Sequence, residues 1–393
     1  MSTKILVVDD EPDLEQLIRQ KFRRSIRDNE LVFLFARNGV DAVATLAAEP
    51  DVELVLTDIN MPEMDGLTLL GKIDELNAAA LKSVVVSAYG DLPNIRVAMN
   101  RGAFDFVTKP IDLGDLETTI QKALRESALI KEALRTRDEL IALQRDLDVA
   151  TDIQMSMLPR TLPSVADREG VDIYATMLPA KEVGGDLYDF FRVDENRIGF
   201  VVGDVSGKGV PAALLMGISR TLLRSAGRSG VAPDECLATV NRVLSEEILP
   251  NMFVTVFYGV IDTLTGEMAY SSAGHNPPYL LTGDGRVTAL NGVGGPPIGV
   301  VGNAPYQQER VTLGPKDAVL LFTDGVTEAM DLNDEFFGEK RLEELLSDSH
   351  ALASESLVRR TIEAVQAFSK GAPQADDITC LALRFLGRGR PLE

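Results

Sequence analysis

The 393-residue sequence is poor in the residues that define several protein classes, with two cysteines, two histidines and no tryptophan. Two cysteines, Cys236 and Cys380, are too few for a disulfide framework, so a reducing cytoplasm is the expected location. No stretch approaches the roughly 18 uncharged apolar residues that a membrane-spanning helix needs. The N-terminal apolar run is too short for a signal peptide. We therefore expect neither a secreted disulfide scaffold nor a membrane protein.

Basic residues are also scarce, with 39 lysines and arginines against 60 aspartates and glutamates. The net charge of −21 argues against nucleic-acid binding, because the phosphates would be repelled. The sequence also lacks a helix-turn-helix signature. The acidity can serve solubility alone, or some of the carboxylates can form metal sites. The positions of individual aspartates must distinguish these two interpretations.

The first 112 residues alternate short apolar runs with amphipathic segments such as Leu14–Phe22 and Leu92–Asn100. This alternation predicts βαβ units. Because the runs are apolar on both faces, we expect a doubly wound, five-stranded parallel sheet with helices on both sides, an α/β fold. The predicted strands are Ile5–Val8, Leu31–Phe35, Glu53–Thr57, Val84–Ser87 and Phe104–Val107.

Residues 113–157 contain no strong helix breaker and repeat apolar residues largely in steps of three and four. This pattern predicts one long amphipathic helix. A second apolar stripe is offset from the first, so the heptad register is imperfect. We favour a coiled-coil homodimer, because the segment is long and separates two domains. The alternative is a helix that packs against its own domains.

Residues 160–387 have longer strand-like runs, interrupted by long helical patterns, which predicts an α+β sandwich. The segment Asp262–Gly266 between two of the runs predicts a hairpin. The predicted strands are Val171–Leu178, Ile198–Val202, Phe253–Ile261, Glu267–Ala273, Tyr279–Thr282 and Ala318–Thr323. The predicted helices are Pro211–Arg228, Pro233–Ile248, Glu339–Ser347 and Ser354–Ser369.

Polar residues follow the N-terminal strands: Asp9 and Asp10 the first, Asp58 the third, Ser87 the fourth and Lys109 the fifth. In a parallel sheet these strand ends meet at one edge. The three carboxylates would repel one another there unless a divalent cation such as Mg²⁺ lay among them. An aspartate beside a metal ion and a lysine is a plausible phosphoryl acceptor.

These features resemble a CheY-like receiver domain over roughly residues 3–125. The resemblance implies that Asp58 is the phospho-acceptor and that Asp9, Asp10 and the carbonyl of Asn60 help to bind Mg²⁺. It also implies switch roles for Ser87 and Phe106, and pairing of Lys109 with the phosphoryl group. Ser87 stands where threonine is commoner, and Phe106 where tyrosine is commoner. The matching motifs are Asp9-Asp10, Thr57-Asp58-Ile59-Asn60-Met61-Pro62, Asp65-Gly66, Ser87-Ala88 and Phe104-Asp105-Phe106-Val107-Thr108-Lys109-Pro110.

Four acidic motifs are scattered through the C-terminal half, and three of them place an aspartate beside glycine, which permits sharp turns. Carboxylates at strand ends suit two neighbouring Mg²⁺ or Mn²⁺ ions, whereas the scarcity of histidine argues against zinc. Two such ions can activate a shared water for in-line attack on phosphorus. The motifs are Gly184-Gly185-Asp186-Leu187-Tyr188-Asp189, Gly203-Asp204-Val205-Ser206-Gly207-Lys208-Gly209, Thr323-Asp324-Gly325-Val326-Thr327-Glu328 and Asp376-Asp377-Ile378-Thr379.

The C-terminal motifs resemble the SpoIIE/RsbU-type branch of the PPM metal-dependent phosphatases over about residues 150–387. The match includes the segments Ile153–Pro159, Ala273–Pro278 and Gly294–Gly299. The resemblance implies that Asp204 bridges both metal ions and that Asp186 serves one of them directly or through water. Asp324 and Asp376 would complete the other, and the carbonyl of Val205 would be a further ligand. Asp376 is preferred to Asp377 as the ligand.

Several C-terminal residues stay open between two roles. His275 either orients a substrate or water, or holds a turn between two strands. Lys208 either meets the substrate phosphate or is a solvated loop residue. Asp377 and Asp189 are further candidates without an assigned role. Cys236 and Cys380 lie in apolar patterns and are expected in the core.

The two resemblances together imply a receiver at 1–122, a helical linker at 123–157, a phosphatase domain at 158–387 and a frayed tail at 388–393. The expected function is that of a response regulator in which a sensor histidine kinase phosphorylates Asp58 and thereby controls a serine/threonine phosphatase. The expected substrate is a phosphorylated STAS-type anti-sigma-factor antagonist. The alternative is a phosphorylation-dependent adaptor that uses the phosphatase fold as a scaffold without catalysis.

Overall fold

The structure is a computed structural model that describes residues 2–76, 78–88, 91–159, 170–247, 251–292 and 294–387. Contacts divide the chain into two units, Met1–Leu143 and Gln144–Glu393, with the boundary inside one long helix. The predicted tail at 388–393 lies outside the described residues, as does Ile248 of a predicted helix. None of the helices in the described ranges combines the length and apolar character needed to cross a bilayer.

The first unit contains a five-stranded sheet in the order β2-β1-β3-β4-β5, in which every neighbouring pair is parallel. The central strands are buried on both faces, since helices cover both sides of the sheet. The predicted α/β fold is therefore confirmed, with each strand starting within two residues of its predicted start. The strands are β1 (Thr3–Val8), β2 (Leu31–Ala36), β3 (Val52–Asp58), β4 (Lys82–Ala88) and β5 (Asp105–Lys109).

Side chains fix where several helices of this unit begin. Asn38 accepts a hydrogen bond from the Asp41 amide at the start of α3, and Asp65 accepts one from the Thr68 amide at the start of α4. Each of these caps satisfies an amide that the first helical turn leaves without a partner. The helices are α1 (Pro12–Lys21), α2 (Arg23–Arg27), α3 (Gly39–Ala48), α4 (Gly66–Glu75) and α5 (Leu92–Asn100).

The predicted long helix is confirmed as α6 (Leu113–Met157), which contains 45 residues. Its first turns pack into the core of the first unit through Leu116, Ile120 and Ala123. Its last turns belong to the second unit, where Leu158, directly after the helix, is buried in the core. Large apolar side chains between these ends are exposed, including Leu140 and Leu143.

The second unit is a sandwich of two five-stranded sheets, in the orders β13-β10-β9-β8-β7 and β12-β11-β14-β15-β6. All neighbouring strands pair antiparallel, and β9 and β10 form the predicted hairpin. The strands are β6 (Val171–Leu178), β7 (Leu187–Arg192), β8 (Arg197–Val205), β9 (Val254–Asp262), β10 (Glu267–Ala273), β11 (Tyr279–Leu281), β12 (Val287–Ala289), β13 (Glu309–Thr312), β14 (Ala318–Phe322) and β15 (Ile378–Phe385).

Alternation along the strands builds a four-layer core. On β8, Phe200 and Val202 face the opposite sheet, whereas Val201 and Val205 face helices α7 and α8. On β14, Val319 faces the opposite sheet and its neighbours face α10 and α11. The helices are α7 (Val210–Arg228), α8 (Pro233–Glu247), α9 (Asp324–Thr327), α10 (Gly338–Ser347) and α11 (Ser354–Phe368). The predicted α+β sandwich is confirmed.

Candidate functional site

The first acidic cluster lies at the carboxyl edge of the parallel sheet. Asp9 and Asp10 follow β1, and Asp58 is the last residue of β3. One ligand atom from each of the three carboxylates lies within 4.8 Å of the other two. Asp9 and Asp58 are buried, whereas Asp10 is exposed. Three oxygen ligands this close together fit a hard divalent cation such as Mg²⁺.

A lysine already supplies positive charge to this cluster. The Lys109 Nζ lies 2.6 Å from Asp58 Oδ2 and 3.2 Å from Asp9 Oδ2. Burial by itself would lower the pKa of Lys109, but the hydrogen bonds and charges of Asp58 and Asp9 raise it overall. Burial raises the pKa of Asp9, although the Glu11 amide and Lys109 offset part of this rise. The lysine therefore stays charged beside the predicted phospho-acceptor.

The two predicted switch residues lie on the neighbouring strands. Ser87, on β4, is buried, and its hydroxyl donates to Asp91 Oδ2 at 3.3 Å. Phe106, on β5, is 37% exposed. Asn60 is exposed just after β3, where the Ile59 amide donates to Asp58 Oδ1 at 2.6 Å. Sequence reasoning missed Asp91, because nothing in its local pattern marks it as a partner of Ser87.

The second acidic cluster collects aspartates from four distant segments. Asp186 directly precedes β7, and Asp204 lies near the end of β8. The pairing of Leu187 with Gly203 brings these two aspartates to the same edge of one sheet. Asp324 begins α9 and Asp376 lies just before β15, both at the edge of the other sheet.

Burial and like charges act together on the carboxylates of this second cluster. Burial, reinforced by the charges of Asp324 and Asp376, raises the pKa of Asp204 to about 7. Burial also raises the pKa of Asp186 well above its usual range, and Asp204 adds to this effect. The pKa of Asp324 is raised by burial and then by Glu328 and Asp376. Gathered like charges of this kind are stabilised by cations.

The donor set fits oxygen-preferring divalent ions. It consists of carboxylates and a backbone carbonyl, which suit Mg²⁺ or Mn²⁺ rather than zinc. The Val205 carbonyl lies 2.9 Å from the position that a Cβ on Gly185 would take, so it borders the turn that carries Asp186. Within the described ranges, only the receiver cluster brings three ligand atoms within 4.8 Å of one another. The wider second cluster suits ions held at more than one position.

Asp377 has a different role from its neighbour Asp376. Its Oδ1 accepts from the Ala180 amide at 2.8 Å, and its Oδ2 accepts from the Gly185 amide at 2.6 Å. Both oxygens are therefore engaged by backbone. Asp376 instead is half-buried and pairs with Lys208, whose Nζ lies 2.8 Å from Asp376 Oδ2. The resemblance preferred Asp376 as the metal ligand, whereas the hydrogen bonds that distinguish Asp377 cannot be predicted from the sequence.

Asp189 is fully buried in an ion cluster between β7 and α7. Its Oδ2 lies 2.9 Å from Arg224 Nε and 3.2 Å from an amino nitrogen of Arg220. The two arginines are one helical turn apart, so both reach the same carboxylate. The cluster ties α7 to the strand that follows Asp186. Sequence analysis identified the aspartate and missed both partners.

His275 is buried behind the second cluster. Its Nδ1 lies 2.9 Å from the Thr255 hydroxyl, and Thr255 pairs with Asp204 across β8 and β9. Burial lowers the pKa of His275 to about 4, so the imidazole is neutral at pH 7. The histidine thus supports a residue beside Asp204, while its backbone lies in the turn after β10.

A cavity of about 430 Å³ adjoins the second cluster. Gly325 and Asp376, from two of the acidic motifs, form part of its lining. Met330, Phe336 and Lys370 form other parts, and Phe336 is 54% exposed. The cavity therefore combines apolar surface and a positive charge beside the carboxylates.

Comparisons with known proteins match both units. Residues 5–121 match the family model of the response regulator receiver domain, and residues 194–386 match that of stage II sporulation protein E (SpoIIE). Protein IcfG of Synechocystis is 32% identical over 61% of this chain, and phosphoserine phosphatase RsbU of Bacillus subtilis is 28% identical over 62%. The chain spans 41% of the length of IcfG and 70% of RsbU.

A solved structure supports the fold of the second unit. The SiaA-PP2C domain of Pseudomonas aeruginosa matches with a TM-score of 0.56 and 24% identity, covering 63% of this chain and 98% of that domain. At this identity, the match establishes the fold of the second unit.

Proposed function

We propose that this chain, which belongs to the response regulators that carry a receiver domain and a SpoIIE-type phosphatase domain, is a metal-dependent serine/threonine protein phosphatase under receiver control. The observation that carries this proposal is the convergence of Asp186, Asp204, Asp324 and Asp376 from four segments at the edges of the two sheets. Burial, together with the charges of Asp324 and Asp376, raises the pKa of Asp204 there to about 7. Such a cluster of buried carboxylates is unfavourable without cations.

In the proposed mechanism, Asp204 would contribute to the binding of both metal ions, Asp186 to one of them, and Asp324 and Asp376 to the other. The Val205 carbonyl would be a further ligand. Bound Mg²⁺ or Mn²⁺ would supply an activated water and neutralise charge on the phosphoryl oxygens. The protein's own contribution is to hold its carboxylates rigidly. The Thr323 hydroxyl does this for Asp186, donating to its Oδ2 at 2.7 Å, and Thr323 itself is anchored by the Thr379 amide.

The receiver would supply the input. A sensor histidine kinase would phosphorylate Asp58, with Asp9, Asp10 and the Asn60 carbonyl binding Mg²⁺. Lys109 already donates to Asp58, so it is placed to neutralise a phosphoryl group there. Ser87 and Phe106 would carry the change outward, which requires the Ser87 hydroxyl to leave Asp91.

The route between the two activities would be α6. Receiver phosphorylation would alter this helix, and the helix would then shift α7 and the metal ligands that precede it. Exposed Leu140 and Leu143 support association of two copies through α6, since apolar side chains on a long helix favour pairing. The second unit would respond to the geometry of that dimer.

The proposed substrate is a phosphoserine or phosphothreonine on a STAS-type anti-sigma-factor antagonist. RsbU, to which the chain is similar, is named a phosphoserine phosphatase. The cavity beside Asp376 would hold residues that flank the phosphorylated side chain, with Phe336 and Lys370 in contact with them.

Hydrolysis of p-nitrophenyl phosphate and of a phosphorylated STAS-type protein, with and without Mn²⁺, tests the proposal. Wild type and Asp204→Ala would be compared, each with and without beryllofluoride as a phosphate mimic. We expect metal-dependent turnover that Asp204→Ala abolishes and beryllofluoride alters. Folded wild type that hydrolyses neither substrate in Mn²⁺ would favour the adaptor alternative instead.

A further inference from the structure

The last turns of α6 are attached directly to the turn that carries Asp186. Gln154 is 5% exposed, and its side chain bonds both polar groups of Gly184. The amide nitrogen donates to the Gly184 carbonyl at 2.6 Å, and the Gly184 amide donates to Gln154 Oε1 at 3.0 Å. One side chain therefore satisfies both backbone groups of a residue two positions before a predicted metal ligand.

Neighbouring residues on the same face of α6 also contact the second unit, so the attachment does not depend on Gln154 alone. Thr151, one turn earlier, donates its hydroxyl to the carbonyl of Glu182. Met155 and Leu158 pack into the sandwich core next to it. Ile153, on another face of the helix, is 53% exposed. The helix thus presents one face to the Glu182–Gly184 segment, and Ile153 on another face is exposed among the described residues.

The turn is held equally firmly from its other side. A Cβ on Gly184 would lie 2.5 Å from Asp377 Oδ2, and one on Gly185 would lie 2.9 Å from the Val205 carbonyl. The turn has no room to absorb a displacement locally. A movement of α6 must either break the Gln154 hydrogen bonds or move Gly184 and, with it, Asp186.

Breaking the hydrogen bonds is the costlier of these alternatives. The backbone N–H and C=O of Gly184 and both ends of the Gln154 amide are buried, so their separation would leave four buried polar groups without partners. A glutamine amide is suited to this role, because it donates and accepts at once and carries no charge beside the carboxylates.

From these contacts we infer that Gln154 is a positioning residue that transmits the position of α6 to Asp186 and so sets the metal affinity of the phosphatase site. The inference rests on the proposed function. It identifies a direct contact, additional to the route through α7, by which receiver control would reach the metal site. Residues that orient metal ligands typically change metal affinity about 10–100-fold when they are replaced.

The test uses the full chain and p-nitrophenyl phosphate, with the rate measured against Mn²⁺ concentration, with and without beryllofluoride. Gln154→Met removes both hydrogen bonds at similar volume. Gln144→Met is the matched control, since Gln144 is exposed on the same helix and bonds only Asp148 among the described residues. We expect Gln154→Met to raise the half-saturating Mn²⁺ concentration about tenfold and to abolish the effect of beryllofluoride on it. Gln144→Met should match wild type in both respects.

Gln154→Glu keeps an acceptor for the Gly184 amide but loses the donor to the Gly184 carbonyl, and it serves if Gln154→Met fails to fold. A shift in half-saturating Mn²⁺ for a folded Gln154 variant supports the inference. Folded Gln154 variants with wild-type Mn²⁺ dependence and wild-type response would overturn it while leaving the phosphatase intact. Absence of metal-dependent turnover in wild type would instead reject the proposed function, and the inference with it.

Discussion

The two acidic clusters of this protein balance their charge in different ways. In the receiver unit, three carboxylates lie within 4.8 Å of one another, and Lys109 lies 2.6 Å from Asp58. In the second unit, Asp204 is surrounded by further aspartates, and its pKa rises to about 7. Among the described residues, Lys208 pairs with Asp376 at the edge of this second cluster.

This difference matches the chemistry of the two sites. A receiver must hold its acceptor aspartate ready whether or not it is phosphorylated, and an internal lysine provides part of the compensating charge at all times. A metal-dependent hydrolase gains by leaving its carboxylates under-compensated, because the unbalanced charge then favours metal binding. The first site should therefore depend less on metal for its stability than the second.

The largest expected effect is a loss of turnover when a carboxylate of the second cluster is neutralised. If turnover were unchanged, the contrast between the two clusters would not hold. Asp324→Asn should lower p-nitrophenyl phosphate turnover in Mn²⁺ by about 10²–10³-fold, as loss of an electrostatic group at a reacting phosphate does. Asp284→Asn, at an exposed position, is the control and should retain wild-type turnover. Steady-state rates at several Mn²⁺ concentrations measure this. Comparable rates for the two variants would mean that Asp324 is not part of the metal site.

The next effect separates a metal ligand from a structural carboxylate. Asp377→Ala should destabilise the second unit by about 3 kcal/mol, because it leaves the half-buried amide of Ala180 and the buried amide of Gly185 without acceptors. Asp376→Ala should cost far less stability while still abolishing turnover. Urea unfolding in EDTA measures both. Equal destabilisation by the two variants would contradict the distinction between Asp377 as a structural carboxylate and Asp376 as a proposed metal ligand.

The pH dependence of stability sharpens the comparison. The folded protein holds a proton on Asp204 that the unfolded chain releases near pH 4, so stability from this group is lost as pH rises through about 7. Asn cannot ionise. In EDTA, Asp204→Asn should therefore gain stability over wild type as pH rises, reaching on the order of 2 kcal/mol above pH 7. Urea unfolding of both proteins between pH 5 and 8 measures this. A difference in unfolding free energy that does not change with pH would mean that the pKa of Asp204 is not raised.

The smallest effect concerns the receiver. Lys109→Met removes the internal cation, so Mg²⁺ should bind about tenfold more tightly, corresponding to about 1.4 kcal/mol. Lys82→Met, at the opposite end of β4, is the control. Calorimetric titration of each variant with Mg²⁺ gives the affinities. Unchanged or weaker binding in Lys109→Met would show that the lysine does not compete with the metal.

Much of the fold was predictable because its signals are local. The receiver strands are short buried apolar runs, and α6 is a long segment without breakers. The strands β7 and β15 were missed, since each follows directly on an acidic motif whose polar residues obscure the strand. The short strands β12 and β13 carry too few residues to show a period.

Site residues were predictable where a motif marks them and not where a distant partner defines them. Asp186, Asp204 and Asp324 each stand beside a glycine in a recognisable turn, so the sequence marks them as candidates. Gln154 bonds backbone groups 30 residues away, and backbone partners leave no trace in the sequence. The same holds for the backbone amides that donate hydrogen bonds to Asp377 and for the arginines that form ion pairs with Asp189.

The claim that Asp58 controls the phosphatase is tested most directly by one measurement. The rate of p-nitrophenyl phosphate hydrolysis in Mn²⁺ would be followed for the full chain as beryllofluoride is added, in wild type and in Asp58→Asn. The account predicts a beryllofluoride-dependent change in wild type and a metal-dependent but unresponsive rate in Asp58→Asn. A wild-type rate that beryllofluoride leaves unchanged, or an equal response in both proteins, would contradict it.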